Sequence, residues 1–571
     1  METLEAGVKD NYRQRILASI AVTLLVWPVL AQLGTSDLAE ASLGKRLFIL
    51  SYSASVLAVP LLLLPYRISI GLLSPLAFLG WAEGWHILHN QSPVTEGAWA
   101  ASIGTNPSES MEFLRTVWPW FAAGLMSFGY CVFVALRSNS TWKHPRRAWA
   151  FAPVVVLLVA AAFDMQRFGS EAKTLQGRFE KLLDFQLMRW ERIYPTGPIL
   201  KLFKVLSDRS ALVDAKVQLA EFRFGAHFRT SGVPGAQIVV FVIGEATRSD
   251  HLSTCGYARA TMPLLQGRDD IFWFCNAIAP ANLTHKAVPF LTKRSTPMAP
   301  EVGMRERSLL RAFSEVGFRT AWISNQPIHS GGSLETQLIA SDADTVIGLN
   351  ENMDAPSWDR VVLPSLSNLL TTTSKPLFLT VQLMGCHLRY NWRYPPDREI
   401  FTPALRGSVS VADFDASHKT EIVNAYDNAV LEQDFVLDSL LRMVKHTARP
   451  AIVVFVPDHG ENLFDPPHGR ILHGSPVPTP QEIQVPLMVW TSSTDGSLDS
   501  TTLRILRTNQ SKRICASQAM PTLLDAAGIS VPGSDPSTSL LQPALGNKNC
   551  PIASPTGEMH WSDDLLRGYK P

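Results

Sequence analysis

At 571 residues the chain exceeds one ordinary domain. Charged residues are 18% against an ordinary quarter, 46% are hydrophobic, and the net charge is +1, which excludes a protein that binds polyanions through its global charge. The charge is unevenly spread: residues 16–164 are very poor in it and the remainder has a soluble composition, so a membrane part precedes a globular part.

Five apolar segments approach the roughly 20 residues needed to cross a bilayer. They are about 16–35, 46–65, 68–88, 115–136 and 148–164. Pro28, Pro60, Pro75 and Pro119 interrupt four of them, which a bundle tolerates when neighbours satisfy the freed carbonyls. Lys9, Arg13 and Arg15 precede the first segment, and Arg137, Lys143, Arg146 and Arg147 lie between the fourth and fifth. With five spans both groups share one side, so basic loops predict a cytoplasmic N-terminus, although Lys45 and Arg46 count against it. Val29-Leu30-Ala31 looks like a signal-peptide processing site, but the further spans argue against cleavage. The loop Glu83–Glu112 falls on the outer side. Its Trp85, His86, His89 and Trp99 suit either an aromatic belt or a surface that holds a lipid headgroup.

Residues 1–165 are therefore read as a transmembrane domain of five helices, 166–235 as a connector and 236–571 as a globular domain. In the connector, Ala172–Arg189 alternates basic and apolar residues at helical spacing until Pro195, Gly197 and Pro198. Such a segment lies along a membrane surface.

From 236 onward strand-like runs alternate with helix-like ones. The strands are Ile238–Ile243, Arg319–Ser324, Leu377–Met384, Ala451–Val456 and Val485–Trp490; the helices are Glu306–Val316, Val361–Leu370, Ile422–Met443 and Ser517–Ala527. This predicts an α/β sandwich around a largely parallel sheet. In such sheets ligands bind beyond the C-terminal ends of the strands. There the sequence places Glu245 after IVVFVIG, Cys386-His387 after LFLTVQLMG and Asp458-His459 after AIVVFVP, with His473 fourteen residues after His459. Any one of these histidines alone would read as a surface or hydrogen-bonding group. Together, Glu245, Asp458 and His459 with one further oxygen compose a tetrahedral zinc site. His387 and His473 are left as second-metal ligands, proton donors or substrate clamps. A metal there makes a neighbouring hydroxyl nucleophilic near neutral pH. Thr247, Ser249, Ser253 and Thr284 are the candidates, and periodicity does not choose Thr284 over Thr247. Thr284, in PANLTHKAVPF, would equally serve as an ordinary helix N-cap.

The stretches VIGEATRSDHLSTCGYARATMPLL, PDHGEN and LHGSP, with Thr284 thirty-nine residues after Glu245, resemble the phosphoethanolamine transferases of Gram-negative envelopes. That family, within the alkaline phosphatase/sulfatase superfamily, includes lipid A-modifying enzymes associated with polymyxin resistance. The resemblance implies an inner-membrane protein with a periplasmic catalytic domain, probed best by its soluble-domain motifs. It implies Glu245, Thr284, Asp458 and His459 as the zinc ligands and Thr284 as the nucleophile that carries phosphoethanolamine. Pro289 matches the family's spacing after Thr284. His387 in MGCHLRY and His473 in ILHGSP match its additional histidines, which serve substrate phosphate or a second zinc. Thr105 and Glu109 in TNPSES resemble its lipid-headgroup contacts. WISNQ (322–326) resembles the branch whose acceptors include core sugars, and YDNAVLEQD and PTLLDAAGI match as scaffold helices.

The implied reaction uses phosphatidylethanolamine as donor and lipopolysaccharide, at lipid A or core, or another envelope glycan as acceptor. The protein is expected to act as a monomer. A phosphoglycerol transferase, a sulfatase-like hydrolase and a non-catalytic envelope protein are the alternatives. No C/S-x-P-x-R motif follows Glu245, which counts against a sulfatase. Two features depart from the family. Lys286 and His285 stand beside Thr284 where small apolar residues are expected, and Lys286 there can hold a substrate phosphate as a point charge or sit in a solvated turn. Five of the six cysteines lie outside the spans, an odd number; Cys255–Cys275 and Cys515–Cys550 are possible pairs that spacing does not establish.

Overall fold

In the computed structural model the described residues are 2–33, 43–90, 93–94, 99, 107–137, 155, 193–229, 235–328, 333–350, 356–406, 416–467, 469–492, 500–543 and 545–569. They divide into two compact units: Met1–Trp99 with Val117–Ser207, and Ala100–Thr116 with Asp208–Pro571.

The first unit contains helices α1 (Glu2–Leu33), α2 (Leu43–Leu63), α3 (Tyr66–Asn90) and most of α4 (Pro107–Arg137), with the start of α5 (Thr196–Gln218). Among the described residues three stretches, not five, are long and apolar enough to cross a membrane: Tyr12–Leu33, Arg46–Leu63 and Val117–Arg137. The expected span at 68–88 is the helix α3. Its length suffices, but Ser69, Ser74, Glu83 and His86 dilute its apolar character. The expected span at 148–164 and the amphipathic 172–189 lie outside the described residues, apart from Val155, which is helical. Leu25, Leu57, Ile70, Leu73, Ala77 and Cys131 form the interior of this unit. Gly84 lets α1 and α3 approach, because a Cβ there would lie 1.9 Å from the Trp27 ring.

The loop expected between the third and fourth segments is shorter than 83–112. Helix α3 runs to Asn90 and α4 starts at Pro107, so Glu83 is helical. Its buried carboxylate accepts the Val94 N–H at 3.0 Å, and the Val94 carbonyl accepts Lys201 Nζ at 2.6 Å. A carboxylate used in this way belongs inside the unit rather than in a solvated loop. Thr105 lies outside the described residues. Glu109 falls in the first turn of α4.

The second unit is built on an eight-stranded sheet. Its strands are β1 (Ile238–Gly244), β2 (Ile271–Ile278), β3 (Arg319–Ser324), β4 (Thr345–Gly348), β5 (Leu377–Gln382), β6 (Ala451–Pro457), β7 (Gln484–Thr491) and β8 (Ile514–Cys515). The order is β8-β2-β7-β6-β1-β5-β3-β4, and only β7 runs antiparallel to its neighbours. Every residue of β1 is buried. Ile238, Val240 and Val242 enter the core on one face, while Val239, Phe241 and Ile243 enter the core on the other. Burial on both faces is why this strand reads as an unbroken apolar run rather than an alternation. Each such side chain contributes about 1.5–3 kcal/mol of transfer free energy.

Helices α8 (Val362–Thr372) and α9 (Lys419–His446) cover the first face; α7 (Leu310–Glu315) and α10 (Ala519–Ala526) cover the second. The four predicted helices and five predicted strands are present, Arg319–Ser324 with the ends predicted and the others with shifted ends. Strands β2, β4 and β8 were not anticipated. Cys255–Cys275 and Cys515–Cys550 are disulfides, which leaves Cys131 and Cys386 as buried free thiols among the described residues. Cys386 is thus the odd one of the five.

Candidate metal centre

The register of the sheet brings the first candidate ligands together. Strand β1 pairs in parallel with β6 from Ile238↔Ala451 to Gly244↔Pro457. The next residues, Glu245 and Asp458, therefore emerge side by side. On the other flank β1 pairs with β5 up to Ile243↔Gln382, which sets the turn Leu383–His387 beside Glu245. That turn closes on backbone: Cys386 N–H donates to the Glu245 carbonyl at 3.0 Å.

Gly385 makes the closure possible. Its φ is +49°, and a Cβ would stand 2.6 Å from the Glu245 carbonyl oxygen and 2.8 Å from its nitrogen. Neither backbone atom can yield without displacing the ligand. Gly385→Ala is expected to cost about 2 kcal/mol or more, the scale of overpacking in a close-packed interior. Urea unfolding and zinc content of the purified variant check both consequences.

Thr284 arrives from a separate element. It is the first residue of α6 (Thr284–Thr292), following the β2 strand and the buried segment 279–282. Its Oγ1 lies 3.3 Å from Glu245 Oε2 and 3.3 Å from His459 Nε2. His459 Nε2 is also 3.4 Å from Glu245 Oε1 and 3.5 Å from Asp458 Oδ2. These separations are long for hydrogen bonds, whose N–H···O mode is near 2.9 Å. They match the edge of a tetrahedron with 2.0–2.1 Å ligand bonds, about 3.3 Å. Two buried atoms in the group, Glu245 Oε1 and Asp458 Oδ2, have no hydrogen-bond partner. Orphaned carboxylate oxygens converging on an imidazole nitrogen and a hydroxyl are what a divalent cation satisfies.

The remaining atoms hold these ligands in place. His459 Nδ1 bonds the Gly460 carbonyl at 2.8 Å, which turns Nε2 towards the carboxylates. Asp458 Oδ1 accepts the His459 N–H at 2.8 Å and the Ala246 N–H at 3.3 Å. Gln326 Nε2 donates to Glu245 Oε2 at 2.9 Å. Burial, then the Asp458 charge, pushes the Glu245 carboxyl well above its ordinary range, against the Gln326 hydrogen bond. Burial also lowers His459 and His473, so both rings favour the neutral form that ligates metal.

His473 joins the group from the loop after the ribbon formed by Asn462–Asp465 and Arg470–Leu472. Its ring lies 4.0 Å from that of His459, and Glu245, His459 and His473 offer ligand atoms within 4.8 Å of one another. Both oxygens of the buried Glu461 approach His473 Nδ1, at 3.3 and 3.2 Å. Burial raises that carboxyl to about 8. His387 stands in the β5 turn, and burial followed by the Arg393 charge lowers its pKa well below the ordinary value. Arg393 clasps this turn by donating to the His387 carbonyl at 3.2 Å and the Leu388 carbonyl at 2.9 Å. Asp359 braces it from beneath, accepting the Met384 and Gly385 N–H groups at 2.7 and 2.8 Å.

Other sequence candidates lie elsewhere. Thr247 is fully buried and donates to the Glu245 carbonyl at 3.1 Å, with Gln433 at 3.4 Å, so its hydroxyl is engaged away from the carboxylates. Lys286 Nζ donates to the Ser554 carbonyl at 3.1 Å, linking α6 to the C-terminal segment. Glu461, Gln326, Asp359 and Arg393 were not singled out as site residues. Glu461 had a signal, standing two residues after His459 in PDHGEN; Asp359 had none.

Residues 237–529, just over half of the chain, match the Sulfatase family model. The chain is 24% identical over 532 residues to the phosphoethanolamine transferase EptC of Escherichia coli strain K12, covering 88% of this chain and 87% of that protein. It is similar to the crystal structure of the C-terminal periplasmic domain of Escherichia coli EptC in complex with zinc. There the identity is 25% and the TM-score 0.53, over 60% of this chain and 97% of that one. It also shares the fold of the integral membrane protein lipooligosaccharide phosphoethanolamine transferase A from Neisseria meningitidis. That match has 18% identity and a TM-score of 0.66, over 92% of this chain and 99% of that one.

Proposed function

The chain belongs to the sulfatase family, and from that premise we propose that it is a zinc-dependent phosphoethanolamine transferase of the bacterial inner membrane. It moves phosphoethanolamine from phosphatidylethanolamine to lipopolysaccharide, at lipid A or core, or to another envelope glycan. The observation that carries this reading is the Thr284 hydroxyl, 3.3 Å from both Glu245 and His459 beside two orphaned carboxylate oxygens. Similarity to a named phosphoethanolamine transferase over nearly all of both chains gives that hydroxyl its substrate class.

Glu245, Asp458, His459 and Thr284 would hold the zinc. When bound, zinc supplies positive charge that favours the Thr284 alkoxide and the oxygens of the transferring phosphate. Thr284 Oγ forms a bond to phosphorus as the bond to the diacylglycerol oxygen breaks. The Thr284 proton passes to the neutral His387 or His473, which returns it to the diacylglycerol oxygen as that group leaves. The acceptor oxygen then attacks the same phosphorus, and the Thr284 hydroxyl is restored. Thr105, Glu109 and Lys286 are kept as candidates for the donor headgroup and phosphate. The N-terminal helices anchor the protein with its N-terminus in the cytoplasm and the catalytic domain in the periplasm. A two-chain donor then presents its headgroup without leaving the bilayer.

The test is transfer from fluorescent phosphatidylethanolamine by the detergent-solubilised protein, with and without a zinc chelator. Zinc-dependent release of fluorescent diacylglycerol is expected. Comparison of lipopolysaccharide and glucans from cells with and without the protein identifies the acceptor. Release of free phosphoethanolamine to water, with no acceptor modified, would mean a hydrolase.

A further inference from the structure

The WISNQ segment ends β3 and ties the sheet to Glu245 by a chain of side-chain hydrogen bonds. The buried Trp322 Nε1 donates to Gln382 Oε1 at 3.3 Å. Gln382 Nε2 donates to Gln326 Oε1 at 3.0 Å. Gln326 Nε2 donates to Glu245 Oε2 at 2.9 Å and to the Leu383 carbonyl at 2.8 Å. An indole N–H can only donate, and a backbone carbonyl, here that of Leu383, can only accept. The two ends therefore fix the direction of both amides between them. If Gln382 were flipped, an NH2 would face the indole N–H. If Gln326 were flipped, its oxygen would face both Glu245 Oε2 and the Leu383 carbonyl. Only one orientation satisfies every group.

We propose that Gln326, oriented by Trp322 through Gln382, is the positioning residue that selects which oxygen of Glu245 faces the metal. With Oε2 engaged by Gln326 and approached by Thr284, Oε1 is the oxygen left without a partner, 3.4 Å from His459 Nε2. Without this amide the Glu245 side chain can rotate about its last bond. The ligand then has to be reordered each time a metal binds. The inference rests on the zinc reading of the site and not on the donor or acceptor of the transfer.

The test measures zinc affinity of the full-length protein in detergent, by competition with a chromophoric chelator. Gln326→Leu removes the donor and leaves an apolar side chain one carbon shorter. Its zinc affinity is expected to fall about 10- to 100-fold, as for other groups that orient a ligand. Gln382→Leu leaves Gln326 in place but frees its amide to turn, so a smaller loss of a few-fold is expected. Unfolding of the metal-free forms is followed in parallel. If Gln326→Leu does not fold, Gln326→Asn, one methylene shorter, replaces it and is expected to fall between the other two. Affinity within twofold of wild type when the donor is lost overturns the proposal. So does a larger loss from Gln382→Leu than from Gln326→Leu. A wild-type protein that binds no zinc overturns the metal reading as well, whereas zinc binding without lipid transfer overturns only the proposed reaction.

Discussion

Thr284→Ala is expected to abolish phosphoethanolamine transfer, by ~10⁴-fold or more, the scale seen when a nucleophile is removed. The same variant is expected to keep most of its zinc, because Glu245, Asp458 and His459 remain. Loss of activity with metal retained separates a nucleophile from a residue that merely completes the site. Mass spectrometry of wild type incubated with donor lipid should show one added phosphoethanolamine on the peptide that contains Thr284. An adduct on Thr247 would defeat the assignment, although the Thr247 hydroxyl is buried and engaged with the Glu245 carbonyl.

Asp458→Asn is expected to trade function for stability. Asn retains an oxygen for the His459 and Ala246 N–H groups, now met by Oδ1. It removes one negative charge from a pocket where Glu245 is already buried and raised by that charge. A carboxyl raised in the folded state contributes stability below its unfolded pKa and loses it as pH rises through the folded value. Near neutral pH the metal-free wild type therefore carries an unfavourable contribution from Glu245, and Asp458→Asn relieves part of it. The metal-free variant should be more stable by about 1 kcal/mol, in the range seen when a functional site is relaxed. Zinc affinity should fall at least ~100-fold, the upper end for losing a ligand's support. Thermal unfolding with and without zinc shows both: a higher midpoint for the metal-free variant and a smaller rise on adding zinc than wild type shows. A lower metal-free midpoint would mean that Asp458 is held by contacts other than those the pocket displays.

Much of the site was legible because its strands are buried on both faces. Ile238–Ile243 and Ala451–Val456 read as continuous apolar runs, and the polar residues that end them stand out. Strand β2, IFWFCNAI, did not read this way, because Asn276 is exposed and Trp273 and Cys275 are only half-buried. Strand β8 is two residues long and carries no pattern at all. The stretch 68–88 read as a span, but it forms the helix Tyr66–Asn90, whose Ser69, Ser74, Glu83 and His86 keep it outside the stretches apolar enough to cross a membrane. The free thiol was legible only as an odd count, and the pairing of the other four cysteines required knowing which loops meet.

The sequence by itself determined which residues stand at strand ends: Glu245, His387, Asp458 and His459. That follows because strand burial and strand termination are local properties of a few consecutive side chains. Tertiary structure decided the rest. Parallel registry with Gly244 opposite Pro457 sets Glu245 beside Asp458, and Gly385 admits the β5 turn against the Glu245 backbone. Thr284 was not separable from Thr247 by local pattern, since both are hydroxyls near a turn. The connection through β2 carries Thr284 back to the carboxylates, while the fold points Thr247 at a carbonyl. Gln326, Asp359 and Glu461 act through hydrogen bonds to residues 81, 25 and 12 positions away, and no local pattern records such distances.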